Sequence, residues 1–182
     1  MESTHLTLYE LNTGCDEFGN FIKLVAKLMA TEYIVVEVNK EKDENLLRKS
    51  FTGRFPVLEL EDKKTCFCEP LAISKYLAND RHGFYGPDPI EKAKIDQWLD
   101  IIQLTIAPLA NSLIRQVAGQ EESEIRAFSQ RCTALREALM PFEKHLKLRN
   151  YLSGYSLTLA DAYLVTTLLS PFQLIIDKKS RD

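Results

Sequence analysis

The chain has 182 residues, 45% of them hydrophobic and 27% charged, with a formal net charge of -3 at pH 7. That length and balance suffice for a real core, as one domain or two small ones, and the signs are interspersed with no long Lys/Arg run to track a phosphate backbone, which disfavours direct nucleic-acid binding. No uncharged apolar stretch reaches about 20 residues; the run 159–176 is interrupted by Asp161 and Pro171, so a membrane span is disfavoured and a buried core helix is expected there.

In chain order, "HLTLYEL" and "YIVVEV" are rich in β-formers, and "FGNFIKLVAKLMATE" between them sets Phe18, Phe21, Ile22, Val25, Leu28 and Met29 at helical spacing. A β-α-β unit with parallel strands follows. "DENLLRKSF" reads as a short, weaker helix. "PVLELED" and "KKTCFC" read as a hairpin around a charged turn, and "PLAISKYLAN" as a helix with Leu71, Ile73, Ser74 and Leu77 on its inner face. The order βαβαββα is thus predicted for residues 1–80.

After the Gly- and Pro-rich connector 81–89, strand signals cease. Residues 90–182 read as an all-helical bundle. Its first helix carries Ile95, Trp98, Leu99, Ile102 and Ile106, with Pro108 expected to kink or end it. The second carries Ile125, Phe128, Cys132, Leu135, Leu139 and Phe142, and "TLADAYLVTTLLSPFQLII" supplies the third. Thr158, three residues before Asp161, has the spacing of a capping box, so both residues are assigned a structural role.

Cys15, Cys66, Cys68 and Cys132 are few for this length, and "MESTHLTLYE" lacks the basic-then-apolar run of a secretory signal, so a cytoplasmic setting is expected. Cys66 and Cys68, two apart on a strand, lack a second ligand pair and read as packing thiols rather than a metal site. His5, His82 and His145 form no ligand motif.

Three motifs in this order, "GRFPVLEL", "CEPLAISKYL" and "YLSGYSLTLADAYL", resemble the glutathione-transferase superfamily over nearly the whole chain. The resemblance implies a thioredoxin-like half followed by a helical half. It implies a cis bond at Phe55–Pro56, beside which the backbone would face the peptide part of glutathione, and a γ-glutamyl site at Glu69 and Pro70. In the enzymes the residue matching Pro70 is a serine that gives both its hydroxyl and its backbone N–H to the γ-glutamyl carboxylate. Proline gives neither, a loss worth roughly 3 kcal/mol or more at typical values for bonds to charged groups. Glutathione is therefore disfavoured as a cofactor, and none is assigned.

The enzymes also need a donor aimed at the glutathione sulfur, because an ordinary thiol is mostly protonated at neutral pH. Tyr9 lies within a strand and reads as packing. The catalytic candidates are Thr13 and Cys15. Asp16 and Glu17 beside Cys15 oppose a thiolate, and "TGCDE" departs from the Cys-Pro-Phe pattern of cysteine-type transferases.

Within the superfamily, "CFCEPLAISKYLAND" and "LTLADAYLVTTLLSPFQLIIDKKSR" are similar to the N-terminal domain of the gamma subunit of eukaryotic translation elongation factor 1B. That resemblance implies a noncatalytic scaffold whose partners are the exchange-factor subunits of elongation factor 1 or related transferase-like domains, with homodimerisation as a further option. The alternatives are a glutathione-dependent transferase or thiol oxidoreductase, and a docking domain of a tRNA-synthetase complex. A full gamma subunit would continue into further helices, a linker and a C-terminal domain, so the chain is expected to be a fragment or a shortened relative.

Overall fold

The computed structural model describes residues 5–11, 17–38, 48–79, 83–121 and 124–175. They fall into two compact units, Met1–Arg81 and His82–Asp182.

The first unit is built on a four-stranded sheet in the order β2-β1-β3-β4. Strands β1 (Leu6–Leu11) and β2 (Tyr33–Val38) pair in parallel, as the β-α-β pattern requires. Helix α1 (Glu17–Leu28) makes the crossover and buries Phe21, Ile22, Val25 and Ala26. Leu28, expected on that stripe, is instead exposed at the helix end. Strand β3 (Val57–Glu59) runs antiparallel to β1 and to β4 (Cys66–Cys68). Leu8 and Leu58, directly opposite each other, are fully buried at its centre. Helix α2 (Pro70–Ala78) buries Ile73, Ser74, Leu77 and Ala78 and packs against α1. Of the helix expected over 43–51, the first five residues lie outside the described ones, and Arg48, Lys49 and Phe51 occupy turns.

The second unit is helical. Helix α3 (Pro89–Ile101) starts at Asp88, whose carboxylate accepts the N–H groups of Ile90 at 2.9 Å and Glu91 at 3.0 Å. Just before it, Gly86 sits at φ 86°, where an added Cβ would meet the Lys92 nitrogen at 2.8 Å, so only glycine fits this turn. Pro108 does not end the helix. The ladder widens into a π-helical turn, Ile102–Ile106, and resumes as α4 (Ala107–Val117), with the Ala107 N–H donating to the Ile102 carbonyl. Ile102 and Ile106 stay buried through the widening.

Helix α5 (Ile125–Leu146) buries Leu135 and Phe142, while Ile125, expected on its apolar stripe, is 90% exposed at the helix start. Trp98 of α3 packs on Phe142 and on His145, with centroids 5.1 and 4.6 Å apart. Helix α6 (Leu159–Leu174) is the core helix of this unit. It buries Leu159, Ala160, Ala162, Tyr163 and Leu164 and packs against both α3 and α4. No helix is long and apolar enough to cross a membrane among the described residues.

Candidate functional site

The residues singled out for a glutathione-type site meet where the start of β3 approaches the start of α2. The Phe55–Pro56 bond is cis and leads directly into Val57 of β3. Val57 pairs with Cys68, and Glu69 and Pro70 follow Cys68 at once, so the pairing of β3 with β4 brings the Phe55–Pro56 and Glu69–Pro70 segments together. Glu69 is the N-cap of α2 at φ 71° and ψ 125°, a conformation that costs a non-glycine residue about 1–3 kcal/mol and is kept only where its surroundings impose it. Its side chain makes no cap bond. Its carbonyl accepts the Ile73 N–H at 3.1 Å and so closes the first helical turn.

Pro70 then occupies the first helical position. Its fixed φ suits the helix start, and the missing N–H has no intrahelical partner to lose. For an anion the consequence is different. A helix N-terminus binds carboxylate or phosphate through its first free N–H groups, and the donor nearest to Glu69 is absent. These residues therefore fit a γ-glutamyl carboxylate poorly. The sulfur-activating candidates Thr13 and Cys15 lie outside the described residues.

Tyr9 is committed elsewhere. Its hydroxyl donates to Glu59 Oε2 at 2.7 Å, and Lys49 Nζ donates to Glu59 Oε1 at 2.7 Å and to the Tyr9 hydroxyl at 3.1 Å. The same ammonium lies 4.5 Å from the centroid of the tyrosine ring. Burial, and then the bond to the Glu59 carboxylate, push the Tyr9 phenol upward. Burial also acts to raise the Glu59 carboxyl, but the bonds from Lys49 and Tyr9 outweigh it and hold that group below the usual range. Lys49 is raised: burial lowers it, and the bonds to Glu59 and Tyr9 more than offset this.

Sequence reasoning missed this cluster. The available signal was Glu59 itself, which shares a face with the buried Val57 and so puts a carboxylate where only a paired one is tolerated. Cys66 and Cys68 are half-buried and unbridged on the same face of β4, and the Cys68 thiol donates to the Lys49 carbonyl at 3.4 Å. Burial raises the Cys66 thiol, which opposes nucleophilic use. In the helical unit, burial likewise raises the Cys132 thiol. His145 is half-buried and bonded to the Leu152 carbonyl at 3.0 Å. No group of three or more His, Cys, Asp or Glu side chains able to hold a metal occurs among the described residues.

Thr158 is the N-cap of α6, and Asp161 completes a capping box with it. Asp161 Oδ2 accepts the Thr158 N–H at 2.9 Å and the Thr158 hydroxyl at 2.8 Å, while Oδ1 accepts the Leu152 N–H at 2.8 Å. The hydroxyl thus spends its proton on the carboxylate, and the carboxylate is the hub that also ties the preceding loop to the helix.

Two family models match the chain: the N-terminal domain of glutathione S-transferase over residues 5–79 and its C-terminal domain over 101–182. The chain belongs to the glutathione S-transferase superfamily. Among solved structures, a glutathione S-transferase from Pseudomonas fluorescens superimposes with a TM-score of 0.81 at 26% identity, covering 96% of this chain and 88% of that one. Among proteins of known sequence, elongation factor 1-gamma of Artemia salina is 32% identical over 180 residues, which is 94% of this chain but 40% of that protein. The glutathione S-transferase-like protein FUS3 of Gibberella moniliformis is 34% identical over 147 residues, 77% of this chain and 64% of that protein. The chain thus spans under two thirds of either relative.

Proposed function

We propose that this transferase-fold chain is a noncatalytic interaction domain of the translation elongation factor 1 complex, anchoring guanine-nucleotide-exchange subunits in the cytoplasm and working without a bound cofactor. The observation that carries the reading is Pro70 at the first position of α2, which removes the donor an anion would need while leaving the helix start sound. The similarity to elongation factor 1-gamma supports the assignment to protein synthesis. One observation favours a second reading, a glutathione-dependent transferase or thiol oxidoreductase using Thr13 or Cys15: Glu69 keeps a costly backbone conformation at the pocket edge.

Two assays separate the readings. Mass spectrometry of what co-purifies with the tagged protein from its own cells is expected to find exchange-factor subunits; tRNA-synthetase subunits in their place would move the domain to that assembly. Conjugation of glutathione to an aromatic halide is expected to stay near background. Robust turnover abolished by Cys15→Ala or Thr13→Ala would overturn the scaffold reading.

A further inference from the structure

The end of the first unit away from Pro70 carries a cleft of about 660 Å³. Leu6 opens β1, Leu60 follows β3, and Leu77 lies in the last turn of α2; all three are buried or half-buried and form its apolar base. Tyr76 adds an aromatic wall that is 44% exposed and held by ring contact with Phe67, at a centroid distance of 4.8 Å. Glu61 and Asp62 are exposed at the rim. The Asp62 carboxylate is fixed by the Lys64 N–H at 2.9 Å, the Thr65 N–H at 2.8 Å and the Thr65 hydroxyl at 2.6 Å.

The backbone adds to the rim charge. Helices α1 and α2 both run toward this end: the turn after α1 supplies Thr31 to the lining, and α2 supplies its final residues. Helix C-termini carry partial negative charge, so two carboxylates and two helix ends give the cleft one sign. Lys27 and Lys75 lie in the last turns of these helices, and Lys63 and Lys64 in the hairpin turn, but no cation lines the cleft among the described residues. An apolar base under a negative rim suits an occupant with both features.

We infer that this cleft binds a short extended segment of a protein partner, one that sets an aliphatic side chain on the leucines and places Lys or Arg against Glu61 and Asp62. The inference rests on the interaction role proposed above and gives it a surface opposite the Pro70 site.

The test uses the full chain and a fluorescein-labelled peptide, Gly-Lys-Leu-Lys-Leu-Lys-Gly, followed by fluorescence anisotropy at physiological salt. Matched peptides carry Gln or Glu in place of every Lys. Saturable binding of the basic peptide is expected, at least about tenfold tighter than the Gln form, with none of the Glu form. Glu61→Lys should weaken it at least about fivefold, and Tyr76→Ala should weaken it also, whereas Glu37→Lys at the opposite end of β2 should leave it within about twofold. Amide shifts should centre on Leu6, Leu60 and Tyr76. Equal binding of the Gln form, equal loss in Glu37→Lys, shifts centred elsewhere, or self-association of the chain through these same residues would overturn the inference. Exchange-factor subunits that co-purify while the peptide fails would refute the cleft alone. Peptide binding without those subunits would refute the elongation-factor assignment and leave the cleft.

Discussion

Lys49, Tyr9 and Glu59 show how a few polar atoms set the behaviour of the sheet. Glu59 is almost fully buried and Lys49 partly so, and removing one partner of such a pair leaves the other charge uncompensated. Lys49→Met should cost roughly 2–4 kcal/mol in a urea melt, and Glu59→Leu combined with it should recover part of that loss. Additive losses in the double variant would show that the pair is not coupled. The pH dependence follows from the directions of the shifts. The depressed Glu59 carboxyl contributes stability above the ordinary glutamate range that is lost as pH falls through its folded value. The raised Lys49 contributes stability below the ordinary lysine range that is lost only as pH rises through its own. Glu59→Gln should therefore flatten the acid limb of a stability profile; an unchanged limb would assign acid sensitivity to other carboxylates. Ser74 is the converse case, fully buried with a hydroxyl that has no hydrogen-bond partner among the described residues. Ser74→Ala should leave the melting temperature unchanged or raise it, since a lone buried hydroxyl costs about 1–3 kcal/mol. A clear drop would reveal a bond made by that hydroxyl.

At the scale of elements, Asp161 is a joint rather than a cap alone. Its carboxylate satisfies two groups of Thr158 and the Leu152 N–H, so Asp161→Ala leaves three donors without this acceptor. A loss of about 2–3 kcal/mol is expected in thermal or urea melts, beyond the value of a simple N-cap. A loss below about 0.5 kcal/mol would show that water replaces the carboxylate at little cost.

The elements also show what the sequence discloses and what it hides. The β-α-β unit was legible because α1 repeats its apolar residues at helical spacing and both strands carry β-formers. The capping box was legible because it is local. Ile125 lies in the helix but is exposed, because periodicity continues to the end of a helix whether or not packing does. Pro108 signals a kink or an end because sequence names the missing donor but not the remedy, here a wider turn that interrupts the α-helical ladder and keeps Ile102 and Ile106 inside. The Lys49 cluster joins residues 40 and 50 positions apart, beyond any local pattern.

For the whole molecule, the two matched domains give the family, while the residues at the start of α2 bear on the function. Phe55–Pro56 is cis, Glu69 holds a positive φ at the N-cap of α2, and Pro70 brings no N–H and no hydroxyl to the position after it. On the proposed reading the site is silent toward glutathione because of that proline. Titration calorimetry with glutathione on the parent chain and on Pro70→Ser tests it most directly. The parent should bind weakly or not at all, and the variant, with a hydroxyl and an N–H restored, should gain at least about tenfold in affinity. Tight binding by the parent chain, or no gain in Pro70→Ser, would contradict the account.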